Sequence, residues 1–83
     1  MLGELAMPKK LPKEFENLPP LLDTSTIAEL LQVSRAGVVE MLKRGDLNGF
    51  QLGRNWRMHR EDFLKSLGFD EALINKTYDR RID

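Results

Sequence analysis

Residues 27–62 of this 83-residue chain, IAELLQVSRAGVVEMLKRGDLNGFQLGRNWRMHRED, constrain its fold more than any other stretch, because start and stop marks recur along them at short intervals. Ser34 stands where a helix begins, since its hydroxyl can accept from an amide that the first turn leaves unpaired. Gly45 stands where that helix ends, because a residue without Cβ enters the left-handed conformation at no steric cost. Only Gln32 and Val33 lie between this unit and a preceding apolar-periodic segment, so two helices are joined by a turn of three residues, 32–34. Further on, Gly53, Arg54 and Asn55 separate two short alternating segments, which predicts a hairpin.

The first helix is predicted over Thr24–Leu31. Asp23 caps it, because its carboxylate accepts from free first-turn amides and favours the positive end of the helix dipole. Ile27, Leu30 and Leu31 then share one face. The second helix runs over Arg35–Arg44, with Lys43 and Arg44 at its negative end. Val38, Met41 and Leu42 form its apolar stripe, which turns Arg35, Ala36, Val39, Glu40 and Lys43 outward. Strands are predicted over 49–52 and 56–58, with Phe50, Leu52, Trp56 and Met58 packed on the helices, Arg54 at the tip and Arg57 pointing away from the core. A third helix is expected over 61–67, burying Phe63, Leu64 and Leu67 before a stop at Gly68. A fourth, over 69–78, is capped by Asp70. The expected class is a single domain, mainly α with a small β-hairpin.

A chain of this length buries only about 60% of the surface its unfolded form exposes, which leaves no room for a large enzymatic cavity. It has no cysteine, so neither a disulfide nor a cysteine-ligated zinc braces it. No apolar run approaches the roughly 18 residues of a membrane span, and no secretory leader is recognisable at the N-terminus. A cytoplasmic protein of a bacterium, phage or mobile element, associated with the nucleoid, is the expectation. The formal net charge is zero, yet the charges are segregated. Residues 33–60 carry Arg35, Lys43, Arg44, Arg54, Arg57 and Arg60 against Glu40 and Asp46, a local balance of plus four, while each flank is minus two. A basic centre between acidic flanks is the charge pattern of a nucleic-acid footprint.

Residues 1–21 contain Pro8, Pro12, Pro19 and Pro20, which forbid a long helix. They read as an N-terminal arm. One reading leaves it a poorly ordered leader; the other has Lys9, Lys10 and Lys13 reaching phosphates while Phe15, Leu18 and Leu22 pin it to the core. Residues 22–67 form the central unit and 68–83 a helical tail.

A helix of this shape can enter the DNA major groove, where its N-terminal half meets base edges. Arg35 suits a guanine edge or a phosphate, Val39 a thymine methyl, and Lys43 and Arg44 phosphates. For Glu40 two readings are open: an intrahelical pair with Lys43 or Arg44, or an acceptor for cytosine N4. The hairpin offers Arg54 to a narrow minor groove, where negative potential is concentrated. Trp56 reads as core rather than as a stacking platform. His59, the only histidine, reads as a surface or helix-capping residue, since a metal site needs further ligands. The acid pairs Glu14/Glu16, Glu61/Asp62 and Asp70/Glu71 read as caps rather than acid–base machinery, and no nucleophile constellation or phosphate-cradling glycine loop occurs. No catalysis and no cofactor are expected.

With AELL, VSR, the apolar pair Val38 and Leu42, KRGDL, LGRNWRM and REDF in this order, residues 22–67 resemble the excisionase-type winged helix-turn-helix family, small DNA-binding proteins related in fold to the MerR head. The resemblance covers a little over half of the chain. It implies DNA binding by a recognition helix and a wing, in an architectural factor of site-specific recombination or a small transcriptional regulator. The recognition role falls on Ser34, Arg35, Ala36, Gly37, Val39, Glu40, Lys43 and Arg44, and the wing role on Gly53, Arg54, Asn55 and Arg57. There are three departures from the family pattern: Gln32 replaces a glycine, Gly37 a Ser or Thr, and the pair Val39-Glu40 an aromatic and a basic residue. The expected partner is double-stranded DNA, joined by neighbouring copies or a recombinase that contacts the tail through Phe69, Leu73 and Ile74. An adapter that turns the surface from Gly37 to Glu40 toward protein is the alternative.

Overall fold

A computed structural model describes residues 11–78. After a short 3-10 turn at Lys13–Phe15 come strand β1 (Leu21–Asp23), helices α1 (Thr24–Leu31) and α2 (Arg35–Arg44), strands β2 (Phe50–Leu52) and β3 (Asn55–His59), and helices α3 (Arg60–Ser66) and α4 (Glu71–Tyr78). Both early helices have the predicted bounds. Asp23 Oδ1 accepts from the Thr26 amide at 2.8 Å, and Ser34 Oγ from the Gly37 amide at 3.0 Å, so each cap is made by the residue whose chemistry required it.

Three helices end in one way. Gly45 and Gly68 adopt left-handed φ of 87° and 96°, and Gln32 does so at 60°. After α2, the Gly45 amide donates to the Leu42 carbonyl and the Asp46 amide to Met41, the paired bonds of a Schellman motif. After α1 the Gln32 amide donates to Glu29 and the Val33 amide to Ala28; after α3, Gly68 donates to Lys65 and Phe69 to Leu64. The three-residue turn is therefore a Schellman stop followed directly by the Ser34 cap.

The sheet departs from expectation in three ways. It has three antiparallel strands in the order β1-β3-β2, not two, because residues 21–23 pair with β3 as Leu21 with His59, Leu22 with Met58 and Asp23 with Arg57. The hairpin loop has two residues, Gly53 and Arg54, and Asn55 belongs to β3 opposite Leu52. With positive φ only at Gly53, the turn has the type II′ pattern that matches strand twist. This register sets the faces. Leu22 and Met58 are fully buried with Trp56 packed beside the core, whereas Phe50 and Leu52 lie on the opposite, outer face with Asn55, Arg57 and His59. Leu52 is 54% exposed, so the expectation that Phe50 and Leu52 pack on the helices fails by one step of alternation.

Leu22, Ile27, Val38, Met58, Phe63, Leu64 and Ile74 are the fully buried centre of the core. Leu67, expected inside, is 38% exposed because α3 gives way to its Schellman turn there. Helix α3 begins one residue early, at Arg60; His59 precedes it without a side-chain capping bond, its ring lying 5.4 Å from that of Phe50. Helix α4 begins at Glu71, and the Asp70 carbonyl accepts from the Ile74 amide.

Residues 11–20 pack as a strap. Leu11 and Leu18 are buried, and Phe15 stacks edge-on against Phe63 and Phe69, with centroids 6.0 and 5.9 Å away. The Tyr78 hydroxyl donates to the Phe15 carbonyl and accepts from the Leu18 amide at 3.1 Å. Arg60 completes the knot: its Nη1 donates to the Leu18 carbonyl at 2.8 Å, its guanidinium lies 3.9 Å from the Tyr78 ring centroid, and its amide donates to Pro20. Lys9 and Lys10, read as phosphate contacts, lie outside the described residues.

Candidate nucleic-acid interface

Helix α2 is held chiefly by its apolar side. Val38 and Leu42 are buried and Met41 packs beside them, while Ser34, Arg35, Ala36, Glu40, Lys43 and Arg44 are exposed and Gly37 and Val39 half-buried. Every residue assigned to the recognition role is thus reachable. Gly37 is confined differently: a Cβ there would stand 3.2 Å from Ser34 Oγ, the atom that accepts from the Gly37 amide. Its lack of a side chain keeps the cap uncrowded.

The wing is joined to this helix through Gly49. A Cβ at Gly49 would lie 2.5 Å from Leu42 Cδ2 and 2.8 Å from the Arg57 carbonyl oxygen, so only glycine lets the start of the hairpin pass between helix and central strand. Leu47, buried just before it, anchors the approach. From there the ribbon runs outward: Gln51, Leu52, Gly53, Arg54 and Asn55 are all exposed, and Arg54 stands at the turn.

The six basic residues of the centre divide by what already holds them. Arg60 is built into the strap and pairs with Glu61 at 3.2 Å, leaving it a structural role. Arg44 closes on Asp46 with Nε and Nη2 at 3.0 and 2.6 Å from one carboxylate oxygen. The expected pair between Arg44 and Glu40 is therefore not formed, and among the described residues no ion pair reaches Glu40, Lys43 or Arg54. Among the described residues Arg35 makes only a 3.4 Å contact to Ser25 Oγ. Arg57, half-buried, donates to the Trp56 carbonyl and faces Asp23 across the sheet. The Asp23 carboxyl is held below its usual range chiefly by the Thr26 backbone amide, then by the Thr26 hydroxyl, with burial opposing and the Arg57 charge assisting.

Phe50 and Leu52, on the outer face of the wing beside Arg57 and Asn55, were not singled out from sequence as interface candidates. The phase of the two-residue turn is what reveals them: once Leu52 is opposite Asn55, it cannot share a face with Trp56 or Met58. On the tail, Leu73 and Ile74 are 8% and 0% exposed and belong to the core, so they are not free for a partner. Among the described residues no helix is long and apolar enough to cross a membrane.

Two helices joined by a three-residue turn, followed by a hairpin paired with a preceding strand, define a small winged helix-turn-helix domain. The family model described as a helix-turn-helix domain matches residues 21–67, more than half of the chain, and the chain belongs to that excisionase-like family. It is a DNA-binding head, of a kind that is typically non-enzymatic. No curated protein and no solved structure matches the chain closely enough for comparison.

Proposed function

We propose that the protein binds double-stranded DNA in a sequence-specific manner, with α2 in the major groove and the wing tip against the minor groove or the adjoining backbone. It serves as an excisionase-like architectural factor or a small transcriptional regulator, in the cytoplasm of a bacterium or of the host of a mobile element. The observation that carries this reading is the separation of roles among the cations: Arg60 is built into the strap and Arg44, though exposed, closes on Asp46, whereas Arg35 and Lys43 on α2 and Arg54 on the wing are exposed and, among the described residues, paired with no carboxylate. Their placement on the two elements that a winged head applies to a duplex gives the electrostatics a direction.

A single small module buries roughly 600–1,000 Å² of its own surface on DNA, so neighbouring copies or a recombinase on adjacent sites supply the remaining affinity. The test is a titration with mixed-sequence duplex DNA at two salt concentrations. A complex that weakens steeply with salt is the expected result, because phosphate contacts release condensed counterions. Absence of any salt-sensitive complex contradicts the proposal and favours an adapter that binds protein.

A further inference from the structure

Glu40 occupies the crest of the recognition helix. At about 100° per residue it stands about 160° around the axis from both Val38 and Leu42, the two buried anchors of α2. Ala36 and Lys43 flank it on the same crest, one turn to either side, with half-buried Val39 at the edge. A helix that enters the groove with its anchored side outward therefore carries Glu40 to the base edges. The carboxylate is exposed, and the one guanidinium a turn away, Arg44, is closed on Asp46. Lys43 enters no ion pair with it.

An unneutralised carboxylate in a groove lined by phosphates is repelled unless it accepts hydrogen bonds there. The major groove offers two donors, cytosine N4 and adenine N6. Adenine N6 lies beside the N7 acceptor, whose lone pair repels a carboxylate, whereas cytosine N4 lies beside a C–H edge. The small apolar side chains of Ala36 and Val39 suit a thymine methyl next to it. Resting on the DNA-binding reading above, we infer that Glu40 is the specificity-determining residue of this head, accepting from the 4-amino group of a cytosine at one fixed position of the target. The acid repels sequences that lack that amine as well as accepting from those that have it.

The experiment selects bound sequences from random duplexes with the wild type, then titrates wild type and Glu40→Gln on three duplexes. These are the selected site, the site with that C·G pair replaced, and the site with a pyrimidine lacking the 4-amino group at the cytosine. Glu40 is exposed, so Glu40→Gln is expected to keep its thermal midpoint. The wild type is expected to lose about 5- to 150-fold in affinity on either altered duplex. Glu40→Gln is expected to discriminate far less and to bind mixed-sequence DNA more tightly. Uniform tightening of all three duplexes by Glu40→Gln, with the wild-type preferences intact, overturns the inference, because Glu40 then only repels. A wild type that selects no cytosine overturns it while leaving DNA binding standing. A wild type with no salt-sensitive complex on any duplex overturns both.

Discussion

Asp23 and Glu40 are both carboxylates of one small head, and their surroundings give them opposite tasks. Glu40 is exposed and, among the described residues, no cation is closed on it, whereas Asp23 accepts from the Thr26 amide and faces Arg57 across the sheet. The bond from the Thr26 amide is the main reason the Asp23 carboxyl titrates below its ordinary value. Its ionised form therefore stabilises the fold fully above the unfolded aspartate pKa of about 3.9, and that contribution is lost as the pH falls through the lower folded value. Asp23→Ala is expected to lower stability near neutral pH by about 1 kcal/mol, the usual cost of a lost N-cap. Asp23→Asn keeps an acceptor at the cap, so its stability is expected to fall less steeply below pH of about 4 than that of the wild type. Denaturant midpoints at neutral and acid pH check both. An equal acid decline in wild type and Asp23→Asn would remove Asp23 from the account.

At the scale of the element, the turn between α1 and α2 sets the angle at which the recognition helix is presented, and its stop is made by Gln32 at φ 60° and ψ 46°. A side chain in this conformation costs about 1–2 kcal/mol relative to the right-handed form. Gln32→Gly is expected to stabilise the domain by about 1 kcal/mol, raising its thermal midpoint by about 4–8 °C, with unchanged DNA affinity. A lower midpoint would show that the Gln32 side chain contributes more than its backbone costs. Helices α1 and α2 were legible to the residue because Asp23, Ser34 and Gly45 are local marks whose chemistry is complete within one turn. The wing was legible as a hairpin but not in phase: three turn-forming residues, Gly53, Arg54 and Asn55, leave two loop lengths open, and one residue of slip exchanges the faces. Strand β1 was not legible, since Leu21, Leu22 and Asp23 pair with β3 only after residues far apart in the chain have met. Of the outward row of α2, Arg35, Ala36, Glu40 and Lys43 are exposed as expected and Val39 is half-buried, but the diversion of Arg44 to Asp46 rather than Glu40 depends on the backbone path after Gly45, which helical spacing does not describe.

For the whole molecule, the strap at 11–20 and helix α4 enlarge a core that residues 21–67 alone would leave open, with Leu11, Leu18, Leu73, Ile74 and Tyr78 all buried. The Tyr78 hydroxyl serves two backbone groups of the strap, so Tyr78→Phe orphans the Leu18 amide and the Phe15 carbonyl together. It is expected to cost about 1–3 kcal/mol in denaturant unfolding while leaving DNA affinity unchanged when folded protein is compared. The strap thus contributes to stability.

The separation of roles among the cations is the central claim, and the salt dependence of binding tests it most directly. In the proposed complex Arg35, Lys43 and Arg54 meet phosphates, so a plot of log affinity against log salt is expected to have a slope of about −3. Arg54→Ala is expected to weaken binding and reduce the steepness by about 1, whereas Arg44→Ala changes it less. A slope near zero, or an Arg54→Ala variant that keeps the full slope while Arg44→Ala loses it, would contradict the account.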